Sequence, residues 1–296
     1  MKITATATGK IILSGDYAVV FDEPGIAIPA PFTIQATIEE QHPKNYSLPT
    51  THYPLEIQWL GISGGEPWTE YLKKIIALLE VNREPFRGTL TITNEIPLQK
   101  GLGSSTALVI AVTRCLLGPG KQAEALAVED AVNAGHSGLD FSVIWEGKPV
   151  LFQRNQPVQY IDFNFPFTQA VLIDTGKPNE ATPELVAWVR ERLSDPRVGS
   201  AIKNIGKCTQ RLQKGEDPRT VFRDHHRAQS ALGIVPKDAA KLIAEIERIG
   251  GAAKVIGAGG KTGGGGMVLA MHKNTDMIRP IARRAGFPIL PLIHMS

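Results

Sequence analysis

One ten-residue stretch constrains this chain more than any other: Pro97-Leu98-Gln99-Lys100-Gly101-Leu102-Gly103-Ser104-Ser105-Thr106. It follows residues 88–94, where Leu90 and Ile92 alternate with threonines as in a half-buried strand. It runs straight into the apolar segment 105–117, whose length and content predict a helix. Glycines let backbone N–H groups approach an anion closely. A helix start adds its dipole, and serine hydroxyls supply hydrogen bonds or a Mg2+ ligand. Such a turn suits a triphosphate. The same residues also suit a plain strand-to-helix turn capped by Ser104 or Ser105, and glycine count does not choose between the two.

The rest of the chain mixes strands and helices without regular βαβ alternation, so an α+β class is expected. Strand patterns cover 3–8, 10–13, 25–30, 33–39, 140–152, 170–174, 253–256 and 267–272, with a short one near the C-terminus. Helical recurrence marks 67–81, 121–132, 183–193, 198–212, 219–231, 239–249 and 275–285. Residues 41–55, with Pro43, Pro49 and Pro54, read as a surface excursion. A change of composition around 155–157 suggests two domains, 1–155 and 156–296.

Composition excludes several classes of partner. Thirty-two basic and 29 acidic side chains leave a formal net charge of +3, and no Lys/Arg stripe is present, so a nucleic-acid role is not expected. Arg279, Arg283 and Arg284 stand at helical spacing and read as a solvated face. The two cysteines, Cys115 and Cys208, give neither a disulfide framework nor metal-ligand spacing and are expected as buried free thiols. The first 20 residues form a strand pattern broken by Thr and Gly, unlike a signal peptide. No stretch approaches the roughly 20 apolar residues that span a bilayer. A cytoplasmic protein without a membrane partner is expected; a homodimer is left open.

Three further segments carry chemistry-bearing residues. Lys10 lies inside an apolar strand pattern, where a buried ammonium needs an anionic partner and a strand-edge one needs none. Residues 129–140 hold Glu129, Ser137, Gly138 and Asp140, which by themselves read as a helix carboxylate and turn residues. His136 has no second His or Cys at ligand spacing and reads as a loop or rim residue. His225 and His226 are adjacent on a helical stretch and diverge by about 100°, which is unsuited to one metal. Residues 254–270 are glycine-dense. Gly260-Lys261-Thr262 suggests a Walker A loop, but the required earlier glycine is Val255, so that match fails.

Taken together, these segments resemble the GHMP kinase superfamily and its mevalonate kinase branch. The 97–106 stretch is similar to P-x-x-x-G-L-G-S-S-A, with Thr106 for the usual Ala. Gly9 to Val20 resembles P-G-K-(apolar)3-x-G-E-H-A-V-V, with Thr8 for Pro, Asp16 for Glu and Tyr17 for His. Glu129 to Asp140 resembles E-x-x-x-H-G-x-P-S-G-[IV]-D, with Asn133, Ala134 and His136 departing from it. Lys254 to Ala270 resembles K-x-T-G-A-G-G-G-G-C-x-[IL]-A-L, with Ile256 for Thr and a longer loop that includes Lys261 and Thr262. Weaker echoes lie at 173–186 and 226–234, and residues between about 40 and 85 contribute nothing.

The resemblance implies a two-domain fold, with an N-terminal domain like ribosomal protein S5 domain 2 and a ferredoxin-like C-terminal domain. It implies ATP and Mg2+ as cofactors and a small alcohol, mevalonate foremost, as acceptor. Phosphomevalonate or another acceptor is the alternative; a non-catalytic ligand sensor on the same fold is the alternative of another class. Carried over singly, Lys10 and Asp140 are the implied catalytic pair, and Ser105 and Glu129 the Mg2+ ligands. Lys100, Gly101, Leu102, Gly103, Ser104, Ser105 and Thr106 line the nucleotide, with Gly257, Ala258, Gly259 and Gly260. Asp16, Tyr17, Ser137 and Gly138 fall where the family contacts its acceptor.

Overall fold

The computed structural model describes residues 2–39 and 55–292. The surface excursion expected over 41–55 lies outside the described residues, save for residue 55. Strands β1 (Lys2–Ser14) and β2 (Gly25–Glu39) form a long antiparallel pair. Each runs unbroken where the sequence pattern suggests two pieces. The irregularity is absorbed as register shifts between Thr8 and Lys10 and between Ile12 and Ser14. A bulge inserts a residue and re-aims the side chains beside it. Here it brings Gly9 so close to the glycine turn that a Cβ would stand 2.9 Å from the Leu102 carbonyl oxygen.

Strand β3 (Leu55–Gly61) pairs in parallel with β4 (Gly88–Asn94), the two joined through helix α1 (Glu66–Leu79). No strand is expected at β3 from sequence, because its apolar residues are mostly exposed or half-buried and show no clean inward face. Helix α2 (Ser104–Leu117) follows the glycine turn, and every residue from Thr106 to Thr113 is buried. Helices α3 (Gln122–Val132) and α4 (Leu139–Glu146) pack on α2, and strands β5 (Val150–Phe152) and β6 (Gln159–Tyr160) complete the first sheet. Its order is β3-β4-β2-β5-β6, with β1 on β2. It therefore reaches Tyr160, past the boundary expected at 155.

Of the strand expected over 140–152, only β5 (Val150–Phe152) forms; the first part is helix. Phe141, Val143, Ile144 and Trp145 suit a strand, yet they form α4, where Leu139, Phe141, Val143 and Ile144 are buried. Local β propensity spans about 1 kcal/mol, less than the burial of several large side chains, so packing decides.

The second sheet begins at β7 (Ala170–Asp174). Four helices follow it: α5 (Thr182–Glu191), α6 (Pro196–Gln213), α7 (Pro218–Leu232) and α8 (Lys237–Arg248). Asp195 and Asp217 cap α6 and α7 by accepting from Arg197 N–H and Arg219 N–H, each ahead of a first-turn proline. Strands β8 (Ala252–Val255) and β9 (Met267–Met271), helix α9 (Arg279–Arg284) and β10 (Ile289–Pro291) close the antiparallel order β10-β7-β9-β8. The helix expected over 275–285 is a 3-10 turn (Thr275–Met277) followed by α9, because Pro280 has no N–H to continue a helix and is accepted only in a first turn.

The largest apolar cluster draws on both sheets, including Ile11, Leu108 and Ile144 with Leu172 and Leu269. Cys115 and Cys208 are free and buried, and burial pushes both thiols up to about 11.

Helix α7 carries two histidines that resist protonation. Burial holds His225 well below its ordinary range and His226 down to about 4. A depressed folded-state value means that the unfolded chain binds the proton first. Stability is therefore full above about pH 6.5 and falls as pH drops below it, His226 contributing roughly 1 kcal/mol per pH unit down to about 4. His226→Gln is expected to flatten the fall between pH 6.5 and 5 by about that slope, read from urea midpoints. An unchanged slope would remove His226 from the effect.

Candidate active site

The glycine turn takes its shape from its flanks. The Asn94 side chain at the end of β4 accepts from Ile96 N–H at 2.8 Å and donates to the Ile62 and Ile96 carbonyls, closing the chain into the turn. Gly103 caps α2 with φ of 77°, in the left-handed region. It has a second reason to be glycine: a Cβ there would meet Lys10 Cγ at 2.9 Å and Ile144 Cδ1 at 2.8 Å. Lys10 N–H donates to the Leu102 carbonyl at 2.9 Å, which ties β1 to the turn.

Lys10 is buried, and its Nζ stands 3.1 Å from Asp140 Oδ1. Asp140 is 35% exposed, so one carboxylate faces the ammonium and open space at once. It sits in the first turn of α4, which Gly138 caps with φ of 91° and where Ser137 Oγ accepts from Leu139 N–H. Three segments distant in sequence thus meet: β1, the glycine turn and the start of α4.

Glu129, which in isolation reads as an exposed helix carboxylate, is 1% exposed. Its Oε1 accepts from Thr106 Oγ1 at 2.7 Å. Its Oε2 is buried and makes no hydrogen bond among the described residues; the Asn133 amide, likewise unpaired, is its polar neighbour. Burial pushes the Glu129 carboxyl up, and the Thr106 bond partly offsets this. Tyr71 of α1 brings its hydroxyl to the same cluster, beside Asn133 and Ser105, and burial with the nearby Glu129 charge raises its phenol. Sequence reading missed Tyr71, because a tyrosine on an amphipathic helix carries no signal that separates site from core.

Other candidates fall into different surroundings. Lys100 does not point into open space, since its Nζ is held by Asp174 Oδ1 at 2.8 Å. The ends of Asp16 and Tyr17 turn to the second glycine segment. Asp16 Oδ2 pairs with Lys254 Nζ at 2.6 Å, and Oδ1 accepts from Gly257 N–H at 3.0 Å. Tyr17 Oη donates to the Ala258 carbonyl at 2.6 Å. An acceptor contact by either side chain has no support in this geometry, because both are buried and already partnered. The Asp16–Lys254 pair went unseen in the sequence, its members being 238 residues apart.

The two glycine segments back onto each other: a Cβ on Gly101 would stand 2.9 Å from the Ile256 carbonyl oxygen and 3.5 Å from Gly257 Cα. The lengthened part of the second segment is held at its tip. Glu180 accepts from Lys261 N–H and from Thr262 N–H and Oγ1, and the Lys261 ammonium lies 4.7 Å from the centre of the Trp188 ring. His136 Nε2 lies 2.7 Å from Asp130 Oδ1, and no group of three or more His, Cys, Asp or Glu side chains that could hold a metal ion occurs among the described residues.

Residues 70–142, which span the glycine turn, Glu129 and Asp140, match the model of the GHMP kinases N terminal domain. A mevalonate kinase of Thermococcus sibiricus is 27% identical over 99% of this chain and 96% of its own length. The crystal structure of Methanococcus jannaschii mevalonate kinase superposes with a TM-score of 0.75 at 19% identity, covering 98% of this chain and 96% of that one. A Streptococcus pneumoniae phosphomevalonate kinase, solved with phosphomevalonate and AMPPNP, superposes at 0.70 and 17% identity over 97% and 98% of the two chains. Fold, motif and full-length similarity converge: the chain has the fold of the GHMP kinases and is similar along almost its whole length to mevalonate kinases.

Proposed function

We propose that this protein is an ATP-dependent kinase that phosphorylates the primary alcohol of mevalonate to give 5-phosphomevalonate. The observation that carries the reading is the Lys10–Asp140 pair, 3.1 Å apart and packed against the glycine turn through Gly103. In this reading the backbone N–H groups of Gly101–Ser105 and the start of α2 receive the triphosphate, and Gly257–Gly260 closes the other side. Asp140 accepts the proton of the attacking hydroxyl as the new O–P bond forms in line and ADP leaves. Lys10 orients Asp140 and places a fixed positive charge where negative charge develops in transfer. Ser137 and Gly138 set the α4 start that aims Asp140.

The donor set also fits Mg2+. Ser105 and Glu129 offer hard oxygen ligands, and the buried, unpartnered Glu129 Oε2 is the kind of group a cation satisfies. When bound, Mg2+ neutralises charge on the phosphate oxygens. Glu129→Gln preserves an acceptor for Thr106 but removes the charge. It is expected to raise the half-saturating Mg2+ concentration by about tenfold or more. An unchanged Mg2+ titration would take Glu129 out of the site. The free buried thiols support a cytoplasmic location in this reading.

A coupled ADP-release assay across mevalonate, phosphomevalonate, galactose and homoserine tests the acceptor. Turnover with mevalonate well above the others is expected. A preference for phosphomevalonate would move the protein to the next phosphorylation of the same molecule.

A further inference from the structure

Asp16 and Tyr17 occupy the place where the resemblance implies acceptor contacts, yet both point elsewhere. We infer that the pair is a positioning clamp for the nucleotide side of the site: two adjacent residues grip two adjacent residues of the second glycine segment. Asp16 Oδ1 accepts from Gly257 N–H at 3.0 Å, and Tyr17 Oη donates to the Ala258 carbonyl at 2.6 Å. One bond takes a donor and the other an acceptor, so the segment is fixed in register and in facing.

Three observations show that the clamp is built into the fold. Asp16 is anchored from behind, because Lys254 Nζ bonds both its Oδ2 at 2.6 Å and the Ile12 carbonyl at 3.0 Å. Lys254 is fully buried on β8, two residues before Ile256 and three before Gly257, so the strand that leads into the segment is tied to the same carboxylate. Tyr17 has φ of 63° and ψ of −43°, a backbone conformation that is costly for a residue with a Cβ. Strain of this kind persists where surrounding contacts over-determine it, and here it sets the phenol onto Ala258. The ring itself belongs to the apolar cluster with Ala18, Val189 and Ile234.

The consequence concerns position. Gly257 lies against Gly101, so any shift of the second segment changes its distance from the phosphate turn. Asp16 and Tyr17 therefore act on nucleotide binding through the glycine backbone, and the acceptor must be recognised by other groups. This inference rests on the kinase reading above.

The test separates KM for ATP from KM for the alcohol. Tyr17→Phe keeps the ring in its cluster and deletes only the bond to Ala258. It is expected to raise KM for ATP and the dissociation constant of AMPPNP about fivefold to tenfold. KM for the alcohol should stay within about twofold, below the effect of one lost hydrogen bond. For Asp16 a single change would strand the Lys254 ammonium and could unfold the chain. Two double variants avoid this: Asp16→Asn with Lys254→Met retains an acceptor for Gly257 N–H, and Asp16→Ala with Lys254→Met does not. The second is expected to show the higher KM for ATP of the two.

A merely structural role would move melting temperatures and leave KM for ATP alone, which overturns the clamp. A rise confined to KM for the alcohol also overturns it and restores acceptor contact. If the unaltered protein neither binds AMPPNP nor releases ADP, the kinase reading falls. If it does both while the variants keep its KM for ATP, the clamp alone falls.

Discussion

Asp140→Asn is expected to lower kcat by about 10²- to 10⁴-fold, the range typical of a positioned general base. The amide matches the carboxylate in size and cannot take the proton of the alcohol. AMPPNP affinity should change little, because Asp140 lies at the α4 start and not in either glycine segment. Stability should change modestly: the carboxylate is 35% exposed, so its ion pair with Lys10 is screened by water. Single-turnover kinetics with saturating ATP and mevalonate reads the effect. Turnover at the unaltered rate would remove Asp140 from proton transfer.

Lys10→Met is expected to cost about 10²- to 10³-fold in kcat, the loss typical of one pre-organised electrostatic contact. The substitution keeps the stem that packs on Gly103 and removes the ammonium. It leaves Asp140 without a partner but still partly in water, so it does not create a fully buried unpaired charge. Asp16, whose charge also feels Lys10, retains Lys254. Folding is therefore expected to survive, and a native-like melting curve beside the kinetic loss separates chemistry from collapse. A Lys10→Met protein that is folded and fully active would show that the ammonium holds β1 in place and nothing more.

The parts that could be read from sequence are those whose signal is local. The glycine turn and the α2 start are fixed by neighbouring residues; Gly88–Asn94 carries its alternation, and Ala170–Asp174 its unbroken apolar run, within itself. Where tertiary packing overrides propensity, local reading fails. Phe141 and Val143 lie in a helix because burying them where α4 packs on α2, β1 and β2 outweighs their strand preference. Lys10 and Asp140 could be named from motif resemblance, but their 3.1 Å approach depends on a bulge at Gly9 that no pattern announces. The burial of Glu129 depends on α1, α2 and α3 meeting, and Tyr71 enters only through that packing. The Asp16–Lys254 pair joins the turn after β1 to β8 of the other sheet, a contact that periodicity cannot encode.

The most direct measurement is a crystal structure of the protein with Mg2+ and AMPPNP. The triphosphate should lie over the Gly101–Ser105 backbone, with Mg2+ between Ser105 and Glu129 and with Asp140 and Lys10 beside the terminal phosphate. A nucleotide bound on another face, or a cation held without Glu129, would contradict the site assembled here from β1, the glycine turn and the start of α4.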